Sequence, residues 1–275
     1  MCEETPKTEA VSPTKKPIPN PVIHLSPLFT TMVLGAFAAF CVIMSMITQW
    51  VRLTYKLRPR GLIRMFDLNM EGNVPSTYST LLLLFAAALL YVIGIAKKQE
   101  SKTTAGSSED GKKNYYRYWR ALAIIFLFLA VDEAGSIHEL TMEPLREWFS
   151  LGGYFHFAWV IPAAILVGIF VAMYIPFLLY IPRRFALMFT FSGAIYVSGA
   201  LGMEMVGSKY FSTHHGVHDA NYLAITTVEE SLEMAGVIVF IYALLTYMSI
   251  YVVQFNWRVR ARKQASKKVQ NPARE

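Results

Sequence analysis

Two segments of this chain combine residue types that do chemistry with a spacing that could bring them together. The first, Asp132-Glu133-Ala134-Gly135-Ser136-Ile137-His138-Glu139, offers three carboxylates, a hydroxyl and an imidazole. The second, Thr226-Thr227-Val228-Glu229-Glu230-Ser231-Leu232-Glu233, offers three more carboxylates. Carboxylates with an imidazole suit a divalent cation such as zinc or iron, or proton transfer. On an ideal helix Asp132, Ser136, Glu139 and Glu143 share one stripe. Glu133 then lies about 100° to one side and His138 about 120° to the other, so a site using all of them needs a distorted helix, with Gly135 as the expected place. Thr226, Glu229, Glu230 and Glu233 fall within a sector of about 100°, and like charges gathered there need a cation, shared protons or both. Structural readings compete with both: a protonated or Arg-paired network for the first segment, and a solvated helix start favoured by the helix dipole for the second.

Single residues add to these. Glu204 follows Gly202-Met203 at the end of an apolar run. Asp67 and Glu71 lie in Phe66-Asp67-Leu68-Asn69-Met70-Glu71-Gly72-Asn73-Val74-Pro75-Ser76, where Gly72 and Pro75 imply a turn and Ser76 a helix cap. Asp67 reads as a loop acid. Thr213-His214-His215-Gly216-Val217-His218-Asp219 carries three histidines, a combination that also binds metals adventitiously, and His156 reads as an interfacial residue. The expected metal ligands are Glu133, His138, Glu204, Glu230 and Glu233. Asp132 is expected to transfer protons or stand behind a ligand, and Ser136 to supply a catalytic hydroxyl. Glu71, Glu139, Glu229, His215 and His218 are further candidates. Metalloprotease, nucleophile-elbow, phosphate-loop and dinucleotide motifs are absent, as are the Glu-x-x-His pairs of di-metal bundles.

The elements that must position these groups follow from composition. The chain is 54% hydrophobic and 16% charged, against about 25% charged in soluble domains. Its apolar residues form long blocks, so the expected fold is all-α: a polytopic transmembrane bundle of six spans near 28–51, 78–96, 120–140, 155–181, 185–207 and 228–254. Asp132 and Glu133 then lie roughly 18–20 Å into a hydrocarbon layer about 30 Å thick, a depth at which an ionisable side chain marks a functional site by default. Ala194, Ser198 and Gly202, at four-residue spacing, predict a helix-packing seam. Residues 1–27 read as a disordered tail without a cleavable signal, 97–118 as a mobile basic loop, and 258–275 as a basic tail. Cys2 and Cys41 form no disulfide framework.

With both termini cytoplasmic, 19 of the 26 Lys/Arg residues face inward. The main exceptions cluster at Arg52, Lys56, Arg58, Arg60 and Arg64, where an interfacial helix holding lipid phosphates, or pairing with nearby acids, would account for them. The two tails and the 97–120 loop hold the other acids; twelve of the 19 Asp/Glu and five of the six histidines fall on the outer half. Acids carry little topological information, so avoidance of the inside does not explain this concentration. The net charge of +7 is an orientation signal and a contact with cytoplasmic-leaflet lipids, with no nucleic-acid partner implied.

The run Glu71-Gly72-Asn73-Val74-Pro75, with Asp132-Glu133-x-x-Ser136-x-His138-Glu139, Gly202-Met203-Glu204 and Thr227-Val228-Glu229-Glu230-x-x-Glu233-Met234, resembles a family of uncharacterised bacterial multi-pass membrane proteins over roughly 65–250. The resemblance implies a bacterial inner-membrane location and names no reaction. Asp67 with Glu71-Gly72-Asn73 is also similar to the acidic segment of alkaline ceramidases, which implies a cation site and lipid chemistry. Those enzymes hold zinc with three histidines in seven spans; here their Ser-x-x-x-His is missing and the histidines fall in a loop.

Three functions fit. The leading one is a metal-dependent membrane hydrolase or oxidoreductase acting on a lipid or other apolar small molecule from the outer face, with zinc for hydrolysis and iron or copper for oxygen chemistry. A cation or proton transporter would use the same acids as a relay, but the inner halves Ala121–Val131 and Val237–Leu245 are almost wholly apolar. A non-catalytic subunit or assembly factor would present the same surface to a partner in a membrane complex.

Overall fold

The computed structural model describes residues 26–104 and 115–252, and most of the two expected tails, with Cys2, lies outside them. The described residues form an all-α bundle with no strand among them. Helix α1 (Pro27–Tyr55) opens with Ser26 accepting the Phe29 amide and with proline at the first helical position, where its missing N–H costs nothing. It closes at Lys56, which adopts the left-handed conformation and returns its N–H to the Arg52 carbonyl. A short turn, α2 (Leu62–Met65), leads to α3 (Val74–Thr104), and α4 (Tyr116–Gly135) follows. Of the loop expected at 97–118, residues 97–104 are therefore the last turns of α3.

Helices α3 and α4 run antiparallel over the same thickness. At one end, a Cβ on Gly94 would come 2.8 Å from Arg120 Cγ, so only glycine permits that approach. At the other end Ser136 Oγ donates to a Glu71 carboxylate oxygen. Helix α4, with 20 residues, is about 30 Å long. It does not run on to residue 140 as the apolar pattern predicts. The chain turns by 85° into α5 (Glu139–Phe149). The turn is made by Ser136, at φ 48°, and not by Gly135, the last residue of α4. The stripe expected from Asp132 through Glu143 is broken there.

Helix α6 (Val160–Tyr180) descends again, and α7 (Arg183–Val197) returns through a six-residue π-helical segment, Ser198–Met203, into α8 (Glu204–Thr213). Helix α9 (Ala220–Tyr251) closes the bundle. Five helices are long and apolar enough to cross a membrane, and α4 with α5 makes a sixth, bent unit. The chain is a multi-pass membrane protein.

The seam expected from Ala194, Ser198 and Gly202 does not form: Gly202 has open space around its Cβ position, and Ala194 and Ser198 are exposed. The contact stripe instead follows the buried Phe185, Phe189 and Ser192 of α7 at helical spacing, so that Gly199 faces α9. A Cβ there would lie 2.8 Å from the Glu229 carbonyl oxygen, and one on Gly236 only 2.7 Å from the Tyr196 backbone nitrogen. These two glycines let α7 and α9 touch backbone to backbone. In lipid, where burying apolar surface drives little association, such close packing is what holds helices together.

The two ends of the bundle differ in chemistry. One is sealed by large fully buried side chains, among them Leu90, Ile93, Trp119, Phe177, Phe185 and Ile241. Trp119 packs edge-on to Phe177 and against Tyr247, and Lys97 lies over the Tyr247 ring. The other end collects the acids.

Candidate metal centre at the acidic end of the bundle

The local turn at Ser136 builds the site. Because α4 stops there, the backbone folds back on Asp132: the His138 amide donates to Asp132 Oδ1 (2.9 Å), and His138 Nδ1 meets Asp132 Oδ2 (3.1 Å). Asp132 thereby caps the start of α5 and orients the imidazole. With Nδ1 so engaged, Nε2 is the nitrogen left to act as a ligand. The third participant arrives from 65 residues earlier. Glu71, in the bend ahead of α3, accepts the Ser136 hydroxyl. Its carboxylate, the His138 ring and the Glu139 carboxylate each offer a ligand atom, all within 4.8 Å of one another. Among the described residues this is the one grouping of three such donors. Burial pushes the Glu71 carboxyl above its ordinary value, partly countered by the Ser136 bond.

A second layer stands beside it. Trp159 packs its ring against His138 with centroids 4.7 Å apart, and its Nε1 donates to Glu204 Oε1 at 2.7 Å. Glu204, the first residue after the π segment, is also within electrostatic range of Glu229. Glu133 is within electrostatic range of Glu71, His138 and Asp132, and Glu230 of Glu233, Glu133, Glu71 and Glu204. Tyr196, from α7, brings a phenol into range of Glu233, Glu133, Asp132 and Glu230.

His138 stands in the three-donor group with Glu71 and Glu139, which the sequence marks only as further candidates. Glu133, Glu204, Glu230 and Glu233 form the adjoining carboxyl layer. Glu229 does not sit at a solvated helix start: α9 begins nine residues earlier, where Asp219 accepts the Tyr222 amide at 3.0 Å, and Glu229 is buried. Asp67 is no free loop acid either. It is 2% exposed, pairs with Arg52 at 3.5 Å and accepts the Asn69 amide, so at least one of the outer basic residues is held by an acid. Trp159 and Tyr196 were not singled out by sequence reasoning. An indole and a phenol in apolar runs are ordinary, and only their polar ends mark them.

The loop histidines stay apart from this site. His214 stacks on Tyr210 with centroids 4.0 Å apart, His215 is exposed, and His218 packs edge-on to Tyr222. Asp219 is occupied by the Tyr210 hydroxyl and the Tyr222 amide. Burial and then the nearby Arg52 push the His218 ring below its ordinary value. His156 meets Arg146 Nη1 through Nε2 at 3.2 Å.

Two open apolar grooves lie between helices, and no acid lines either. One of about 370 Å³, between α1 and α9, has Gly35, Ala38, Val42, Ser231, Met234 and Ile238 in its walls. The other, about 180 Å³, lies between α5 and α6.

No curated protein and no solved structure matches the chain. Residues 30–248, which run from the start of α1 nearly to the end of α9, match a family defined only as a domain of unknown function. Every residue of the acidic end lies within that match, and the chain belongs to this family, DUF8692.

Proposed function

We propose that the chain is a metal-dependent membrane enzyme acting on an apolar or lipid-like substrate, with Glu71, His138 and Glu139 holding a divalent cation. The observation that carries this reading is the three-donor group itself, with Asp132 behind the histidine. A carboxylate–histidine–metal arrangement fixes the tautomer and ring orientation of a ligand. Two carboxylates and one imidazole leave positions open for water or substrate, a donor set that suits zinc or iron. A cation there would supply Lewis acidity, polarising a substrate oxygen or lowering the pKa of a bound water.

This chain's residues do the rest. Asp132 orients His138, Ser136 holds Glu71, and Trp159 shields the imidazole from one side. The Glu204–Glu229 pair, with Glu230 and Glu233, holds and passes protons. The apolar substrate class is supported by the open apolar groove between α1 and α9, whose wall includes Ser231, the neighbour of Glu230 in sequence. A transport role would need polar groups through the opposite half, where the buried residues are Leu90, Ile93, Trp119, Phe177 and Phe185.

The test is the metal content of the purified protein. Stoichiometric zinc or iron is expected in the wild type and in Glu230→Ala, and its loss in Glu71→Ala and His138→Ala. A folded wild-type protein purified without chelators and free of metal, which also fails to take up zinc or iron, would sink the reading.

A further inference from the structure

Helix α5 is held by little of the protein. None of its residues is buried, and its contacts beyond the Ser136 turn are the Arg146–His156 pair and the apolar groove against α6. Yet it is amphipathic. At 100° per residue Arg146, Glu139, Glu143 and Glu147 occupy one sector of about 100°, while Trp148, Leu145, Phe149 and Met142 occupy a separate one of about 120°. Trp148 is 83% exposed and Phe149 64%, which no isolated soluble helix end would favour.

The occupant of that face follows from its position. Helix α4 runs beside the spanning helix α3, and the 85° turn lays α5 across the direction of α4 at the acidic end. Its apolar face continues directly into the groove with Ala158, Ile161, Pro162 and Ile165, and Ile165 is itself exposed on the outward surface of the spanning helix α6. A short helix with one charged face and a Trp/Phe face, lying in the plane where a span ends, is the form that settles at the headgroup–acyl boundary. The geometry points to acyl chains of the bilayer leaflet at that end as the material covering α5.

The consequence lies at the other end of the helix. His138 is the residue capping α5 and Glu139 its first member, so two of the three donors ride on α5, whereas Glu71 arrives on the lead-in to α3. Helix α5 is about 16 Å long and joins α4 through the turn at Ser136–Ile137. A change in its tilt would carry Glu139 away from Glu71 and pull on the Asp132 bonds that hold His138. We propose that α5 is an interfacial lever: seating of Trp148 and Phe149 in the leaflet assembles the Glu71–His138–Glu139 group, and unseating opens it. The lever deepens the metal-enzyme reading, on which its functional meaning rests, by making the site responsive to the lipid surface.

The test uses the full chain in phosphatidylcholine nanodiscs, with and without lipids brominated near the headgroup. Trp148 emission, taken as wild type minus Trp148→Phe, should fall about twofold with brominated lipid, as contact at the interfacial depth requires. In Trp148→Ser/Phe149→Ser, amide exchange at His138, whose N–H is held by Asp132, should speed up about tenfold. This is the effect of raising the unseated fraction about tenfold, because exchange scales with the open population. Trp148→Leu/Phe149→Leu, which keeps the apolar face, should restore wild-type exchange and so separates unseating from misfolding.

Unquenched Trp148 would overturn the proposal, and so would unchanged His138 exchange in the serine variant. Both readouts work without metal. Zinc and iron titration of the same samples judges the metal reading separately: wild-type protein that shows quenching and exchange as expected but binds neither metal would sink that reading and leave the lever standing.

Discussion

Replacing Gly199 or Gly236 by alanine tests whether the close glycine contact with α9 positions the carboxylates. At Gly236 an added Cβ would lie 2.7 Å from the Tyr196 nitrogen, 2.8 Å from its Cβ and 2.9 Å from its Cα. Two of those are backbone atoms, so no side chain can rotate away and the helices must separate by roughly half an ångström or more to reach ordinary contact distance. Overpacking of this kind costs about 1–3 kcal/mol, offset by about 0.5–1 kcal/mol from replacing a helical glycine. The net loss of about 1–2 kcal/mol corresponds to a fall of about 2–8 °C in Tm for a domain of this size. Gly199→Ala meets the Glu229 carbonyl at 2.8 Å and Glu233 Cγ at 3.0 Å, so it should destabilise similarly and also displace the carboxyl layer. Gly202→Ala meets nothing within 4 Å and should leave Tm unchanged or slightly raised. The assay is thermal unfolding of all three variants in one detergent, followed by intrinsic fluorescence. If Gly202→Ala proves the most damaging of the three, the four-residue seam is the true contact and the packing through Gly199 and Gly236 is refuted.

Asp132→Asn keeps the shape but removes the charge behind His138; zinc affinity should fall about 10–100-fold, as for other outer partners of ligand histidines, and an unchanged dissociation constant would remove Asp132 from that role. Trp159→Phe takes away the donor to Glu204 and leaves a partly buried carboxylate short of a partner, a loss of about 1–3 kcal/mol that denaturant unfolding would register. The Tyr210 hydroxyl and the Tyr222 amide hold the Asp219 carboxyl below its usual range. A depressed carboxylate contributes stability above its unfolded value of about 3.9 and loses it as pH falls through the lower folded value. Protection of the Tyr222 amide from exchange, referred to the pH-dependent intrinsic rate, should therefore hold from neutral pH down to about 4 and decline below it; a decline near neutrality would contradict that assignment.

Much of the architecture is legible from composition and pattern. Long apolar blocks can only be spans, and acids deep in such blocks draw attention to Asp132, Glu133, Glu230 and Glu233 before any geometry is known. The grouping of donors is not legible in the same way. Glu71 and Ser136 are 65 residues apart, and nothing local says that they meet. The helical wheel even separates His138 from Asp132, because it assumes the helix continues through Ser136. Gly135 is the natural suspect for a break, since glycine alone adopts positive φ without steric cost, yet the left-handed residue is Ser136.

By itself the sequence determined the solvent: a chain this apolar, with its ionisable groups at particular depths, must live in a bilayer and keep its acids inside the bundle. Tertiary structure alone decided which acids share a site. Two local departures from the α-helix, the left-handed turn at Ser136 and the π segment at Ser198–Met203, rotate everything beyond them. Periodicity cannot anticipate a rotation that arises from packing, because the extra residue in a π turn and the direction of an 85° bend are chosen by the neighbours they must fit: Glu229 and Tyr196 against the two glycines, and Glu71 against Ser136.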